Sequence, residues 1–308
     1  MAEAQIAWPK KTREIVNVIC DSTRWNDFPF RDDDIVIDTP GKTGTTWVQQ
    51  IVGQLLLRGA DGLVAGMSPW LDHQLAPKDR ILAQLADQKS RRFIKSHLPL
   101  DALVFSRAAK YIYIARDARD AAWSMHNHAS HFTQTALDLY NSACSQGPRA
   151  VRAGGDPRTF YLTFLETGEM PMLSDGSAPW PFWSHVQGWW DARKLPNVML
   201  VHYTDLKVDF LKAVQRIAGF LGIEIEEAKL PRIIEHCGMD YMRAEAKKID
   251  ALNLIFEGGA DTFINKGTNG RWKDVLSMEE IARCDEVAAK HLTPDCAHWL
   301  KNGNLPED

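Results

Sequence analysis

"IDTPGKTGTTWVQQIV" (residues 37–52) is the stretch on which the reading of this chain turns. A short apolar run ends in Pro40, Gly41, Lys42, Thr43 and Gly44, and the chain passes directly into "TTWVQQIVGQLLLRG" (45–59). In that segment Trp47, Ile51 and Leu55 fall on one helical face with Val48, Val52 and Leu56 beside them, and Gly59 is placed to cap the C-terminal end. Strand, glycine-rich turn, helix is the order that builds phosphate-binding loops. Glycines allow positive-φ backbone, the free N–H groups of loop and helix start converge on one spot, and the helix dipole makes that spot favour an anion. Lys42 adds a full charge, and Thr43, Thr45 and Thr46 add hydroxyl donors. The nucleotide-triphosphatase spelling G-x-x-x-x-G-K-[ST] is absent, because counting back from Gly41 puts Val36 where the first glycine belongs. The rest of the chain has to say which anion the loop holds.

The whole chain sets broad limits. Its 308 residues can bury a large core, as one α/β domain or two smaller ones. A hydrophobic share of 45% and a charged share of 25% are ordinary for a globular protein. A net charge of −4 argues against a broad nucleic-acid surface but leaves room for a locally basic pocket. The opening "MAEAQIAWPKKTREIV" lacks the apolar core and small-residue cleavage site of a secretory signal, and no apolar run approaches the ~20 residues that span a bilayer. Cys20, Cys144, Cys237, Cys284 and Cys296 are scattered, odd in number and form no C-x-x-C, which fits reduced thiols in a cytoplasmic protein.

Short apolar strands alternate with helical patterns, so the expected fold is a central parallel sheet flanked by helices on both faces. Strands are expected at "DIVID" (34–38), "RFIK" (92–95), "YIYIA" (111–115) and "NVMLVHY" (197–203), with helices from Asp117 to about Asn127 and over 206–222. Ligands of such sheets bind beyond the carboxyl ends of the strands. There the sequence places the Lys42 loop, then Lys95-Ser96-His97, then Arg116 with Ser124 two turns into the following helix, then Tyr203. Histidine suits proton transfer near neutral pH, and arginine suits a forked contact with phosphate. "FINKGTNGRWKDVLS" (263–277) supplies a second basic, glycine-rich loop through Lys266, Gly267, Gly270 and Arg271. The segment from about 128 to 182 reads as less regular and rich in aromatics, and its length suggests a lid or binding loop. H-E-x-x-H, Cys/His clusters and G-x-S-x-G are all absent, so neither zinc nor a hydrolase elbow is expected.

Taken together these residues resemble the cytosolic sulfotransferase family, whose donor is 3′-phosphoadenosine 5′-phosphosulfate (PAPS) and whose nucleotide product is 3′-phosphoadenosine 5′-phosphate (PAP). The family's P-K-S-G-T-T-W motif is matched by Pro40-Gly41-Lys42-Thr43-Gly44-Thr45-Thr46-Trp47, and its K-T-H-L-P by Lys95-Ser96-His97-Leu98-Pro99. Its R-[N/D]-x-x-D-x-x-x-S is matched from Arg116 to Ser124. "WSHVQGWWDAR" (183–193), "VHYTDLKVD" (201–209), "HCGMDYM" (236–242) and the loop at 263–277 follow in the family's order, so the similarity runs from about 30 to 295 within a single domain. The resemblance implies His97 as general base, with Lys42 and Lys95 neutralising charge on the departing phosphate. It implies Thr43 to Thr46 at the 5′-phosphate, and Arg116, Ser124, Lys266 and Gly267 at the 3′-phosphate. Trp47, Tyr203, Cys237 and Met239 would lie near the adenine, and Met67, Trp70, His97 and Phe132 near a small apolar or aromatic hydroxyl or amine acceptor. No metal is implied.

The sequence departs from the family pattern in several places. Gly41 alters the loop before Lys42, and Cys237 and Met239 replace the usual Thr and Phe. Asn265 stands where Arg is usual and Arg271 where Asp is usual, so Arg271 is expected to supply the lost charge. The family's dimer motif degrades to Lys273, Ser277, Met278 and Ala282, and no oligomer is inferred. Two other readings remain: a kinase with a divergent loop, which would need magnesium ligands, and a silent nucleotide-binding protein on the same fold.

Overall fold

The computed structural model describes residues 7–144 and 146–305. Four strands form one sheet: β1 (Ile35–Asp38), β2 (Phe93–Ser96), β3 (Lys110–Ala115) and β4 (Val198–His202). All neighbouring pairs are parallel, in the order β2-β1-β3-β4, with Ile37 opposite Lys95 on one side and Ile112 on the other. The chain leaves β1 for one side of the sheet and returns to the other, so the strand order reverses between β1 and β3. That reversal opens the crevice in which doubly wound sheets take their ligands.

Strand alternation sorts the apolar residues into two cores. Ile35, Ile37, Ile112, Ile114, Met199 and Val201 share one face with α1 (Thr45–Leu56). Val36, Ile94, Tyr111, Tyr113 and Leu200 turn to the other. The chain meets α2 (Lys78–Asp87) before β2, and then α3 (Ala118–Ser130) after β3. The α/β architecture and all four strands follow the sequence reading within a residue or two. The Asp117 carboxylate caps α3 by accepting the Arg119 backbone N–H at 2.9 Å. α1 stops at Leu56, Arg58 takes the left-handed turn (φ 53), and the Gly59 N–H closes the end on the Gln54 carbonyl at 3.0 Å.

Two expectations need correcting. The stretch 128–182 is irregular only in part: outside the loops at 146–156 and 168–181 it contains α4 (Gln134–Ala143) and α5 (Pro157–Thr167), capped by Thr133 and Asp156. Tyr140, Phe160, Tyr161 and Phe164 are buried, so its aromatics are mostly core. After α6 (Phe182–Asp191) and β4, the single helix expected over 206–222 is two, α7 (Tyr203–Val208) and α8 (Phe210–Leu221). Asp209 breaks them by adopting φ −142, and its carboxylate accepts the Lys212 N–H to start the second. The five cysteines are free thiols, and among the described residues no helix is long and apolar enough to cross a membrane.

Candidate active site

The carboxyl ends of all four strands open onto one cavity of about 310 Å³. Its floor is the loop after β1. Gly44 has φ +120, and a Cβ there would lie 2.8 Å from Ile114 Cδ1 and 2.9 Å from Tyr203 Cδ2. Gly41 has φ +78 and passes so close beneath Trp180 that a Cβ would lie 3.0 Å from its ring. The extra glycine is therefore what lets the loop fit under that indole, whose N–H donates to the Pro40 carbonyl at 2.8 Å. Lys42 itself takes positive φ (56). The Thr39 hydroxyl ties the turn together, meeting the Thr45 hydroxyl at 2.8 Å and accepting the Gly41 N–H at 3.1 Å.

His97 stands on the edge of β2 and is 5% exposed. Its Nδ1 lies 2.8 Å from the Thr39 carbonyl, an oxygen that can only accept, so Nδ1 carries the proton. Nε2 is left bare, with no partner among the described residues. Trp180 stacks on the ring at 5.0 Å and Trp70 meets it edge-on at 4.7 Å. Burial, with the neighbouring Lys95 charge, holds the imidazole well below its ordinary pKa and keeps it neutral at pH 7. Burial also lowers Lys42 to about 7, aided by Lys95, Arg116 and Arg271, and lowers Lys95 to about 8. A neutral base and two easily discharged amines therefore share one apolar-walled space.

The other end of the cavity is organised by Arg116. Its guanidinium lies over the Tyr203 ring at 4.3 Å. Nε and Nη2 donate to Asn269 Oδ1 at 3.0 and 2.7 Å, and Nη2 also donates to the Thr268 carbonyl at 2.8 Å. Asp117, an obvious ionic partner in the sequence, pairs with Arg119 instead at 2.5 Å. Asp120 accepts the Gly270 N–H at 2.7 Å and the Trp272 indole N–H at 3.1 Å. Arg116 and Asp120 thus clasp the second basic loop against α3, and the two N–H groups on Nη1 keep no partner among the described residues. Arg271 lines the same space, its pKa lowered by burial and by Arg116.

Most of the expected site residues come together here. Lys42, Gly44, Thr45, Thr46, Trp47 and Lys95 line the cavity with His97, and so do Arg116, Ser124, Tyr203, Met239, Asn265, Gly267 and Arg271. Trp70 and Phe132 stand on the acceptor side. Four residues do not join them. Met67 is 39% exposed and lies outside the lining. The Thr43 hydroxyl is buried and donates to the Ile114 carbonyl at 2.9 Å, which leaves only its backbone N–H for an anion. Cys237 is fully buried and contributes its carbonyl, which takes the Trp47 indole N–H at 2.9 Å. Lys266 projects to solvent, outside the lining.

Sequence reasoning missed Thr39, His73, His128 and Tyr140. His128 lies four residues beyond Ser124, hence on the same face of α3, and that spacing was a readable signal. His73 and Tyr140 come from loop and helix segments with no motif, and their meeting at 3.2 Å is visible only in three dimensions.

A model of the sulfotransferase domain family matches residues 32–294. The glycolipid sulfotransferase of Mycobacterium bovis is 29% identical over 95% of this chain and 95% of its own length. Sulfotransferase 1A1 of Rattus norvegicus is 29% identical over 86% of each. Among solved structures, mouse sulfotransferase SULT7A1 complexed with PAP superposes with a TM-score of 0.69 at 20% identity, covering 92% of this chain and 93% of that one.

Proposed function

The chain belongs to the sulfotransferase-domain family and is a sulfotransferase, and on that premise we propose that it moves the sulfuryl group of PAPS to a hydroxyl or amine of a small apolar or aromatic acceptor. The observation that carries this reading is the bare Nε2 of a neutral His97 in the same cavity as the Lys42 loop. The donor set fits a nucleotide with phosphate at both ends. The loop and the start of α1 present backbone N–H groups and the Thr45 and Thr46 hydroxyls to one anion. The free Nη1 pair of Arg116, Ser124 and Arg271 suit a second anion at the far end. Trp47, Tyr203 and Met239 give an apolar seat between them.

The donor supplies an activated sulfuryl group on a phosphate that can leave with the electron pair. His97 Nε2 takes the acceptor's proton as the acceptor oxygen bonds to sulfur. Lys42, whose pKa burial lowers, sits in the loop itself and stabilises the negative charge left on the phosphate. Lys95, held over the Trp70 ring at 4.3 Å, lowers the pKa of His97 and adds positive potential on the acceptor side. Thr39 holds His97 in the tautomer that leaves Nε2 free.

Two measurements test the reading. Calorimetric titration without magnesium should show much tighter binding of PAP than of ADP or ATP. Transfer of labelled sulfuryl from PAPS to a panel of phenols and alcohols should fall about 10²–10⁴-fold in His97→Ala with PAP binding largely kept. Preference for ATP, or near-normal turnover by His97→Ala, would overturn it.

A further inference from the structure

His128 enters the cavity from α3 and has no part in the mechanism above. Its Nδ1 lies 3.3 Å from Lys42 Nζ. Its ring packs against Phe132 at 5.1 Å and Phe256 at 4.7 Å, on the acceptor side of the transfer point. Beside a bound anionic nucleotide Lys42 is charged, and an ammonium can only donate hydrogen bonds. His128 Nδ1 must then accept, which puts the imidazole proton on Nε2. That nitrogen has no hydrogen-bond partner among the described residues and is not among the solvent-sealed polar atoms. His128 lines the cavity, so the ring presents this N–H to the space an acceptor would fill.

The two histidines therefore carry opposite tautomers. The Thr39 carbonyl fixes a lone pair on Nε2 of His97, and Lys42 fixes an N–H on Nε2 of His128. One asks the acceptor for a proton, the other offers one. Around His128 the walls are apolar, so an acceptor with only hydrocarbon there leaves a desolvated N–H without a partner. Sites built to hydrogen-bond one polar group discriminate against analogues that lack it.

We infer that His128 selects acceptors that carry, besides the hydroxyl taken by His97, a second group able to accept a hydrogen bond, such as a ketone, ether or ester oxygen. This rests on the proposed function, because it needs PAP beside Lys42. It narrows the acceptor class from apolar phenols and alcohols to keto- or ether-bearing ones.

The test is binding, read by calorimetry on the complex with PAP. The probes are para-butylphenol and its analogues with a ketone at the second or third chain carbon, where the carbonyl does not alter the phenol's acidity. At least one ketone should bind about tenfold more tightly than the hydrocarbon parent. His128→Phe, which keeps a ring against Phe132 and Phe256, should erase that preference, and so should His128→Met if the first variant folds poorly. His128→Gln, with an amide donor, should restore part of it. Ketones that bind the wild type no better than para-butylphenol would overturn the inference, as would a preference surviving in His128→Phe or His128→Met. Loss of PAP binding by the wild type would instead sink the proposed function, and the two failures are separate readings of one titration series.

Discussion

Replacing Arg116 by alanine is the perturbation that tests the far end of the site most directly. A guanidinium has five N–H donors. Three hydrogen bonds from Nε and Nη2 go to Thr268 and Asn269, leaving the pair on Nη1 for a ligand. A charge-assisted hydrogen bond in such a setting is worth about 1.5–3 kcal/mol. Losing one or two of them should weaken PAP by about 2–4 kcal/mol, roughly 30- to 900-fold in Kd. AMP lacks the 3′-phosphate and should change little. Arg116 also clasps the 268–272 loop, so part of the effect could travel through that loop. Asn269→Ala tests this part: it removes two of the three hydrogen bonds from Arg116 to the loop, leaves the cation, and should weaken PAP and AMP alike by about 1 kcal/mol. Calorimetry with both nucleotides on wild type and both variants gives the comparison. If Arg116→Ala weakened PAP and AMP equally, Arg116 would be only a loop anchor and its free N–H pair would not bind the second phosphate.

Affinity for PAP should fall as pH rises. Lys42 has its free pKa lowered to about 7 and must be charged to hold the anion, so above that pH binding has to take up a proton. One such group gives up to tenfold weaker binding per pH unit, and Lys42→Met should flatten the slope. Thr39→Val removes the hydroxyl that meets Thr45, accepts the Gly41 N–H and lies 3.0 Å from His97 Nδ1, and should lower stability by about 2–4 kcal/mol, read as a fall in denaturation midpoint. His97 keeps the Thr39 carbonyl, so turnover of the folded fraction should change far less than in His97→Ala. Turnover should be unaffected by a metal chelator, because Lys42, Lys95, Arg116 and Arg271 supply the charge that metal ions supply elsewhere. PAP should slow hydrogen exchange around Met172 and Trp180, which line the cavity from the 128–182 segment, if that segment closes over the ligand. Equal exchange with and without PAP would rule the lid out.

What the sequence made legible was what lies at the ends of strands. Lys95 is the penultimate residue of β2, His97, Arg116 and Tyr203 come directly after β2, β3 and β4, and Lys42 stands in the loop after β1. A parallel sheet brings all such positions to one edge whatever the intervening chain does. What it hid depends on where a side chain points after the strand ends. Thr43 looks like a phosphate ligand from its place in the loop, but positive φ at Lys42 and Gly44 turns its hydroxyl down onto the Ile114 carbonyl. Lys266 looks basic and near, but the Asn265 side chain accepts the Lys266 N–H at 2.6 Å and Arg243 holds the Ile264 and Asn265 carbonyls, a local knot that leaves Lys266 pointing to solvent. The segment from 128 to 182 was misread because its helices are short and separated by Gly- and Pro-rich turns, which breaks the apolar period before it can be recognised.

The arrangement also shows how a chain of net charge −4 keeps four cations in one cavity without cancelling them. The buried ion pairs lie elsewhere, at Arg92–Asp34 and Arg119–Asp117. Asp120 acts on Arg116 and Arg271, and Asp72 on Lys95, but through space and not as contact ion pairs. A carboxylate in contact with Lys42 or Arg116 would compete with an anionic ligand. Aromatic faces take that place. Lys42 lies 5.7 Å from the Phe263 ring, Lys95 4.3 Å from Trp70 and Arg116 4.3 Å from Tyr203. Each contact is worth about 0.5–2 kcal/mol, enough to offset part of the desolvation but not enough to discharge the cation. Burial still lowers the pKa of both Lys42 and Lys95, and the other cations lower Lys42 further. Binding an anion relieves both effects, so the same rings that hold the empty site together leave its attraction for phosphate intact.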